Sequence, residues 1–219
     1  MVAPRTGGVN GSVYDWWSGH QRLFRALSWL TFEGREAEFR SLARDRLLAG
    51  PGDSVLDVGC GPGRSFKPRA VEVGPGGRVV GADYSEGMVR RAGERARTLT
   101  VDCEAVRADA GTLPFADDSF DRAYSTLALS AMGDVEAAVT EVRRVLRPGG
   151  RFVVFDTRPF QSWPWTALNP VLNRLSAWAT DWHPDADVLG ALERRFPAVE
   201  TEVFLRGTTF VSVAELDGG

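Results

Sequence analysis

The residues with the clearest chemical meaning are the glycines of one short loop, Gly59, Gly61 and Gly63. They follow a run of apolar residues that is typical of a buried strand, and Asp57 lies two residues before the first of them. Glycines at this spacing let the backbone turn tightly and approach a ligand closely. A helix that follows such a loop offers free N–H groups to a carboxylate or a phosphate. The loop therefore predicts a ligand site, and a tight turn without a ligand is the alternative.

Two further carboxylates each stand where a strand is expected to end. Asp83 can accept hydrogen bonds from both hydroxyls of a ribose, an arrangement shared by NAD-binding and nucleoside-binding proteins. Asp109, which is followed by Ala110, can accept the amino hydrogens of an adenine. Each aspartate by itself is also explained as a helix cap or a turn residue. In combination with the glycine loop, the two predict a ligand that contains a nucleoside.

The spacing of the glycines argues against one class of nucleotide-binding enzyme. The fingerprint of nicotinamide-dependent oxidoreductases needs a third glycine three residues after the second. Arg64 occupies that position, and the sequence instead reads Gly-x-Gly-x-Gly. A nicotinamide-dependent oxidoreductase is therefore kept only as a disfavoured alternative.

A general base, which an oxygen or carbon nucleophile would need, is harder to assign. The chain has two histidines, His20 and His183. His183 lies in the sequence Asp-Trp-His-Pro, within a segment expected to cover the ligand site, and it is the candidate catalytic residue. A surface histidine beside a proline is the alternative interpretation, and Asp181 is a weaker candidate.

Short apolar runs that alternate with amphipathic segments must position these residues. With helices between them, strands are expected at 54–58, 78–82, 101–108, 120–125 and 152–155. This alternation predicts right-handed βαβ units and a doubly wound, Rossmann-like α/β fold with a mostly parallel sheet. In such sheets ligands bind beyond the carboxyl ends of the strands, where Gly59, Asp83 and Asp109 are expected.

The chain is expected to form a single domain in four parts. These parts are an N-terminal helical cover at 1–50, a ligand-binding core at 51–156, a helical insertion over the pocket at 157–190, and a closing helix and hairpin at 191–219. The hairpin is expected to pair Val199–Leu205 with Thr208–Ala214 about the turn Arg206-Gly207.

Aromatic residues are concentrated in two segments outside the core. The first runs from Val13 to Leu30 with helical spacing and contains Tyr14, and a second helix is expected at 35–48. The insertion holds Trp163, Trp165, Trp178 and Trp182. These tryptophans are expected to line a pocket for a flat or lipophilic molecule. Ordinary core packing and, for the exposed aromatic segments, a homodimer contact are the alternatives.

Composition and charge argue against several other classes of protein. The net charge of −3 makes a strongly basic nucleic-acid surface improbable. The two cysteines, Cys60 and Cys103, belong to no CxxC pair or Cys/His cluster, so no metal site is expected and both thiols are expected to be reduced. No apolar run reaches about eighteen residues, and no signal peptide is recognised, so a cytoplasmic protein without a membrane span is expected.

Four stretches of the sequence resemble the class I S-adenosylmethionine-dependent methyltransferases. They read VLDVGCGPG at 55–63, GADYSEGMV at 81–89, ADAGTLPFADDSFDRAYS at 108–125 and EVRRVLRPGGRFVVFD at 141–156. The resemblance implies a seven-stranded sheet with a reversed last strand. It also implies S-adenosyl-L-methionine as the cofactor and transfer of its methyl group to a small molecule.

The same resemblance implies where the cofactor is bound. The loop glycines would face its methionine part, with Thr126 near that end. Asp83 would bind the ribose, Tyr84 and Met88 would flank the adenine, and the pair after the third strand would hold the adenine edge. The full set of expected cofactor residues is Tyr14, Asp57, Gly59, Cys60, Gly61, Gly63, Asp83, Tyr84, Met88, Asp109, Ala110 and Thr126.

Within this class, DSFDRAYS and LRPGG resemble the branch of ubiquinone and menaquinone biosynthesis and phospholipid N-methylation, as do VYDWW and FEGREAEFR. Many relatives have a histidine after the fourth strand, whereas this chain reads STLAL at 125–129. The expected function is methyl transfer to a small, flat or lipophilic acceptor, with lipid and quinone acceptors included. Non-methyl chemistry such as cyclisation and a non-catalytic binding module are the alternatives.

Overall fold

The computed structural model describes residues 31–180 and 182–218, without the side chains of 177–180. The predicted helix at Val13–Leu30 lies outside the described residues, and so do the cofactor candidate Tyr14 and Asp181.

The centre of the structure is one sheet of seven strands. The strands are β1 Ser54–Val58, β2 Arg78–Asp83, β3 Asp102–Arg107, β4 Phe120–Thr126, β5 Leu146–Thr157, β6 Ala198–Phe204 and β7 Thr209–Glu215. Their order across the sheet is β3-β2-β1-β4-β5-β7-β6. The first five strands are parallel, whereas β7 runs antiparallel between β5 and β6. The predicted sheet with a reversed last strand is therefore confirmed, together with the closing hairpin.

Helices cover both faces of this sheet. In the described part of the chain they are α1 Glu36–Leu47, α2 Phe66–Val73, α3 Glu86–Ala96, α4 Val135–Val145, α5 Asn169–Thr180 and α6 Val188–Arg195. The first three bury apolar side chains against one face, and α4 and α6 bury theirs against the other. This double covering explains why the parallel strands are apolar along most of their length, and it confirms the doubly wound α/β class.

The order of the strands fixes where a ligand can enter. From β1 the chain proceeds outward through β2 to β3, and it then returns to place β4 on the other side of β1. The sheet therefore has a topological switch point between β1 and β4. The crevice beyond the carboxyl ends of the strands at such a point is the usual ligand site of open α/β sheets.

Strand β5 begins at Leu146, well before its expected start at Phe152. The Arg-Pro-Gly-Gly sequence belongs to the strand because its backbone pairs with the C-terminal residues. The Gly149 N–H donates to the Asp217 carbonyl at 2.9 Å, and the Leu216 N–H donates to the Gly150 carbonyl at 3.0 Å. Sequence reasoning interpreted these residues as a turn because the partner segment lies some seventy residues away.

The insertion after β5 is helical, as expected. It contains a short 3-10 helix, Trp165–Leu168, that leads directly into α5. Apolar side chains of this segment, Trp163 and Val171 among them, are exposed. None of the described helices is both long enough and apolar enough to cross a membrane.

Candidate functional site

Gly61 and Asp83 meet directly at the carboxyl ends of β1 and β2. The Gly61 N–H donates to one carboxylate oxygen of Asp83 at 2.8 Å, and the Ser85 N–H donates to the other at 2.9 Å. Burial raises the pKa of Asp83, and these two donors partly offset that effect. A carboxylate oxygen has more than one acceptor site, so both oxygens can accept a further hydrogen bond. Asp83 is therefore held in place while it still offers acceptors to a diol.

The three loop glycines meet different surroundings, although all have positive φ, at 69°, 53° and 73°. A Cβ on Gly59 would lie 2.4 Å from the Cβ of Ala128, and one on Gly63 would lie 3.1 Å from the Cα of Ala92. A Cβ on Gly61 would meet no atom within 4 Å. Close packing therefore requires glycine at Gly59 and Gly63, whereas Gly61 borders open space that a ligand can fill.

The side chain of Cys60 belongs to the core rather than to this open space. A Cβ built on Gly81 would lie 2.7 Å from its sulfur and 2.4 Å from the ring of Phe66. Burial raises the pKa of the Cys60 thiol, and it raises that of Cys103 to about 12. Both cysteines are free. The backbone groups of Cys60 are also engaged: the Cys60 N–H donates to the Ala82 carbonyl at 3.1 Å, and the Cys60 carbonyl accepts the Gly63 N–H at 3.0 Å. A cofactor role for Cys60 stays a prediction.

Asp57 is a buried carboxylate with one unused oxygen. Its side chain is 2% exposed, and one oxygen accepts a hydrogen bond from the Ser65 hydroxyl. The other oxygen has no partner among the described residues. Burial raises the pKa of Asp57 to about 6, although Ser65 and the positive charges of Arg69 and Arg40 oppose this shift. A buried acceptor without a donor is costly, so this oxygen is suited to a hydrogen-bond donor of a ligand.

Arg40 brings a positive charge to the carboxyl end of β4, and sequence reasoning missed it. From α1 its guanidinium donates to the Thr126 hydroxyl at 2.8 Å and to the Glu36 carboxylate at 2.8 Å. It also lies over the Phe155 ring, 5.8 Å from the centroid. An arginine on an amphipathic helix is usually read as solvent-facing. No local signal in the sequence identifies it, because Thr126 lies 86 residues further along the chain.

The residues expected at an adenine surround the ends of β2 and β3. The Ala108 N–H donates to the Asp83 carbonyl at 3.1 Å, which joins the two strand ends. Asp109 is exposed, and its carboxylate accepts the Gly111 N–H at 2.9 Å. Tyr84 is exposed beside this edge. The structure thus brings this part of the predicted set to one edge of the sheet, together with half-buried Met88 and Ala110.

A buried carboxylate at the end of β5 fixes the segment that follows β4. Asp156 is fully buried and accepts hydrogen bonds from the Ser130 hydroxyl at 2.5 Å, the Ser130 N–H at 3.0 Å and the Thr157 N–H at 2.7 Å. The Ser130 carbonyl in turn accepts the His183 N–H at 2.8 Å. The His183 side chain is exposed. The backbone of His183 is therefore held beside the segment that follows β4. The catalytic role of the His183 side chain stays a prediction.

This geometry agrees with comparisons to known proteins. A family model described as a methyltransferase domain matches residues 56–154. The nocamycin O-methyltransferase of Saccharothrix syringae is 35% identical over 189 residues, which cover 81% of this chain and 67% of that protein. A demethylmenaquinone methyltransferase of Desulfitobacterium hafniense is 31% identical over 180 residues, which cover 76% of this chain and 69% of that protein.

A solved structure gives the same result. An S-adenosylmethionine-dependent methyltransferase from Mesorhizobium loti is 27% identical, with a TM-score of 0.65, and the match covers 80% of this chain and 96% of that one. The chain therefore belongs to the class I S-adenosylmethionine-dependent methyltransferases. Within that class it falls in the branch of the quinone methyltransferases. The chain spans about half of the length, or less, of several other curated relatives that it matches.

Proposed function

We propose that this chain transfers the methyl group of S-adenosylmethionine to a small lipophilic acceptor of quinone-like character. The observation that carries the proposal is the hydrogen bond from Gly61 to Asp83 beside open space, at the switch point of the sheet. When bound, the cofactor supplies a methyl group already activated on a sulfonium. The protein then needs to hold the two substrates in line and exclude water.

The nucleoside half of the cofactor is assigned to the β2 and β3 ends. Asp83 is oriented by two backbone donors and accepts the ribose hydroxyls with its remaining acceptor sites. Tyr84 and Met88 flank the adenine, whose amino edge faces Asp109 and Ala110. Gly61 leaves room for the chain that joins the ribose to the methionine part.

The methionine half carries an ammonium and a carboxylate, and the site has a charge for each. Arg40 is a cation at the end of β4, and Asp57 is a buried carboxylate with an unused oxygen at the end of β1. We assign the cofactor carboxylate to Arg40 and Thr126, and the cofactor ammonium to Asp57. Charge-assisted hydrogen bonds of this kind are shorter and stronger than neutral ones.

The acceptor is assigned to the space between the strand ends and their cover. The relatives named for demethylmenaquinone and nocamycin support a lipophilic acceptor. We assign the cover to 1–50 and 157–190, of which 1–30 and 181 lie outside the described residues, the cofactor core to 51–156 and the closing helix and hairpin to 191–219. His183 is the candidate base for an acceptor that must lose a proton. We place the reaction in the cytoplasm.

The proposal is tested with cofactor labelled in its methyl group. Pure protein is incubated with this cofactor and a panel of reduced quinones and phenols, and products are read by mass spectrometry. The expected result is one labelled methyl group per product and an equal amount of S-adenosylhomocysteine. A product without the label would favour non-methyl chemistry such as cyclisation. Cofactor binding without any product from any acceptor would favour a non-catalytic binding module.

Asp83→Ala tests the cofactor part alone. Loss of a charged hydrogen-bonding partner costs about 1.5–3 kcal/mol, which is roughly tenfold or more in affinity. Calorimetry with S-adenosylhomocysteine should show this weakening. An unchanged affinity in a folded Asp83→Ala protein would remove Asp83 from the site.

A further inference from the structure

An arginine of α2 lies fully inside the protein behind the glycine loop. Arg69 is 1% exposed, although arginines are almost never buried this deeply unless they are paired. Its Nη1 donates to the Glu72 carboxylate at 2.7 Å, and Glu72 is itself partly exposed. The Nε of Arg69 has no acceptor among the described residues. Burial of an incompletely paired cation is costly, so the position of Arg69 requires an explanation beyond packing.

The geometry of α2 directs Arg69 toward Asp57. Ser65, directly before α2, donates its hydroxyl to the Asp57 carboxylate. The Arg69 N–H donates to the Ser65 carbonyl at 3.0 Å, so the two residues are one helical turn apart and lie on the same face of the helix. The face of α2 that contacts Asp57 is therefore the face that carries Arg69.

Tyr124 links the two charged groups from the side of the sheet. Asp57 in β1 and Tyr124 in β4 are register partners, so their side chains lie next to each other on the same face of the sheet. The Arg69 guanidinium lies over the Tyr124 ring, 4.7 Å from its centroid. Neighbouring strands are about 4.8 Å apart, so the guanidinium lies within about one side chain of Asp57.

We propose that Arg69 is a positioning residue for the cofactor: its buried positive charge compensates the negative charge of Asp57, so that this carboxylate receives the cofactor ammonium. This inference rests on the proposed function, which assigns the ammonium to Asp57. A buried carboxyl without a neighbouring cation takes up a proton, and a neutral carboxyl holds an ammonium only weakly.

The titratable groups that face Asp57 come from the helices, strands and loop around it, and they are Arg40, Cys60, Arg69, Asp83, Cys103 and Tyr124. Burial raises the pKa of Asp57 to about 6, whereas the Ser65 hydroxyl and the two cations oppose this shift, Arg69 more than Arg40. The Asp83 carboxylate acts in the opposite direction. The cysteines and the tyrosine are neutral at neutral pH, because burial raises the pKa of each. Among these groups, Arg69 is therefore the main charge that favours the ionised form of Asp57.

The test measures affinity for S-adenosylhomocysteine as a function of pH in Arg69→Met. Replacement of a buried charge by an apolar side chain of similar size is often tolerated, so a folded protein is expected. Loss of a nearby opposite charge raises the pKa of a carboxyl by about one unit or more, so the variant should bind at least about threefold more weakly at about pH 6.5. At about pH 8.5 the difference should narrow to about twofold or less, because Asp57 is again ionised. Titration of the cofactor itself cancels in the ratio of the two proteins.

Two further variants separate charge from structure. Arg69→Lys retains the positive charge and should restore most of the affinity at about pH 6.5. The matched control is Glu72→Gln, which removes the ion-pair partner of Arg69 from the same helix and leaves the guanidinium in place. Its affinity should stay within about twofold of the unsubstituted protein throughout this pH range.

Melting temperatures without cofactor measure the same effect independently. Because the pKa of Asp57 is raised, its contribution to stability is lost as the pH rises from 3.8 to the value in the folded protein. In Arg69→Met this loss should extend above about pH 6, and Asp57→Asn added to the same protein should abolish the extension.

An affinity loss in Arg69→Met that is equal at both pH values would overturn the proposal, because a purely structural role predicts it. Arg69→Lys as weak as Arg69→Met would overturn it as well, and so would unchanged affinity at every pH. If Arg69→Met does not fold, Arg69→Gln, which keeps a donor for Glu72, is measured against the same criteria. If Asp57→Asn binds S-adenosylhomocysteine like the unsubstituted protein, the assignment of the ammonium to Asp57 fails, and the proposal fails with it. The melting temperatures then still show whether Arg69 acts on Asp57, so the two failures are distinguishable.

Discussion

The glycine-loop region and the insertion differ in how far their side chains already have partners within the protein. Around the loop, Gly61 and Asp83 are bonded to each other, and Asp57 is buried with a hydroxyl partner. In the insertion, Val171 and Leu175 face solvent. A site whose groups are fixed beforehand binds one ligand with little ordering cost, whereas exposed apolar side chains gain free energy from any partner that buries them. We infer that the first region binds the cofactor and that the second contacts the acceptor.

The largest expected effect comes from filling the space beside Gly61. In Gly61→Val the added side chain enters space that no described atom occupies within 4 Å, and the φ of 53° is unfavourable for valine. Cofactor affinity should fall by about a hundredfold or more, since a clash in a preformed site is not relieved by small shifts. Calorimetry with S-adenosylhomocysteine measures this change.

Gly59→Ala is the informative contrast. Its Cβ would lie 2.4 Å from the Cβ of Ala128, so this substitution should lower the melting temperature more than Gly61→Val does. If Gly61→Val is folded and binds cofactor normally, the assignment of the open space to the cofactor is wrong.

The next effect distinguishes the two ends of the cofactor. Arg40→Met removes the positive charge at the end of β4, and affinity for S-adenosylhomocysteine should fall about tenfold to a hundredfold. Affinity for 5′-methylthioadenosine, which lacks the amino-acid part, should change less than about twofold. Equal losses for both ligands would show that Arg40 positions α1 rather than contacting the methionine end. Arg40→Lys should restore part of the affinity.

Arg40 also shows where sequence reasoning ends. Gly59, Gly61 and Asp83 could be identified because local spacing places glycines in a turn and a carboxylate at a strand end. Arg40 meets Thr126 across 86 residues, so no local pattern predicts the contact. The same holds for Asp156, which the sequence shows only as another strand-end acid. Its bonds to Ser130 exist because the segment that follows β4 lies beside the carboxyl end of the neighbouring strand β5.

A smaller, pH-dependent effect is expected from Asp57. Its pKa is raised from 3.8 to about 6, so the carboxyl becomes protonated as the pH falls through 6. A neutral carboxyl attracts an ammonium less, so cofactor affinity should fall by up to about tenfold per pH unit below that value. The stability of the free protein depends on pH in the opposite direction, because burial of the ionised carboxylate is unfavourable. The contribution of Asp57 to the free energy of unfolding therefore decreases as the pH rises from 3.8 to about 6.

Asp57→Asn isolates this effect, because burial also raises the pKa of Asp83. The variant should bind cofactor more weakly at pH 7.5, and the part of the pH dependence that disappears in it belongs to Asp57. A pH profile that is unchanged in Asp57→Asn would assign the titration to Asp83 instead.

The smallest expected effect on the cofactor comes from the insertion, and it separates the two regions most directly. Leu175→Ser should change affinity for S-adenosylhomocysteine less than about twofold, because Leu175 is 59% exposed and lies outside the glycine-loop region. With a lipophilic acceptor, its KM should rise several-fold while kcat is retained, since a weaker contact with the acceptor leaves the assembled cofactor site intact. The matched control is Leu48→Ser, directly after α1, because the Leu48 side chain is 60% exposed and lies outside the insertion. It should leave both KM and kcat unchanged. If Leu175→Ser instead lowers kcat and weakens the cofactor to the same extent, the insertion is part of the cofactor framework, and the division between the two regions fails.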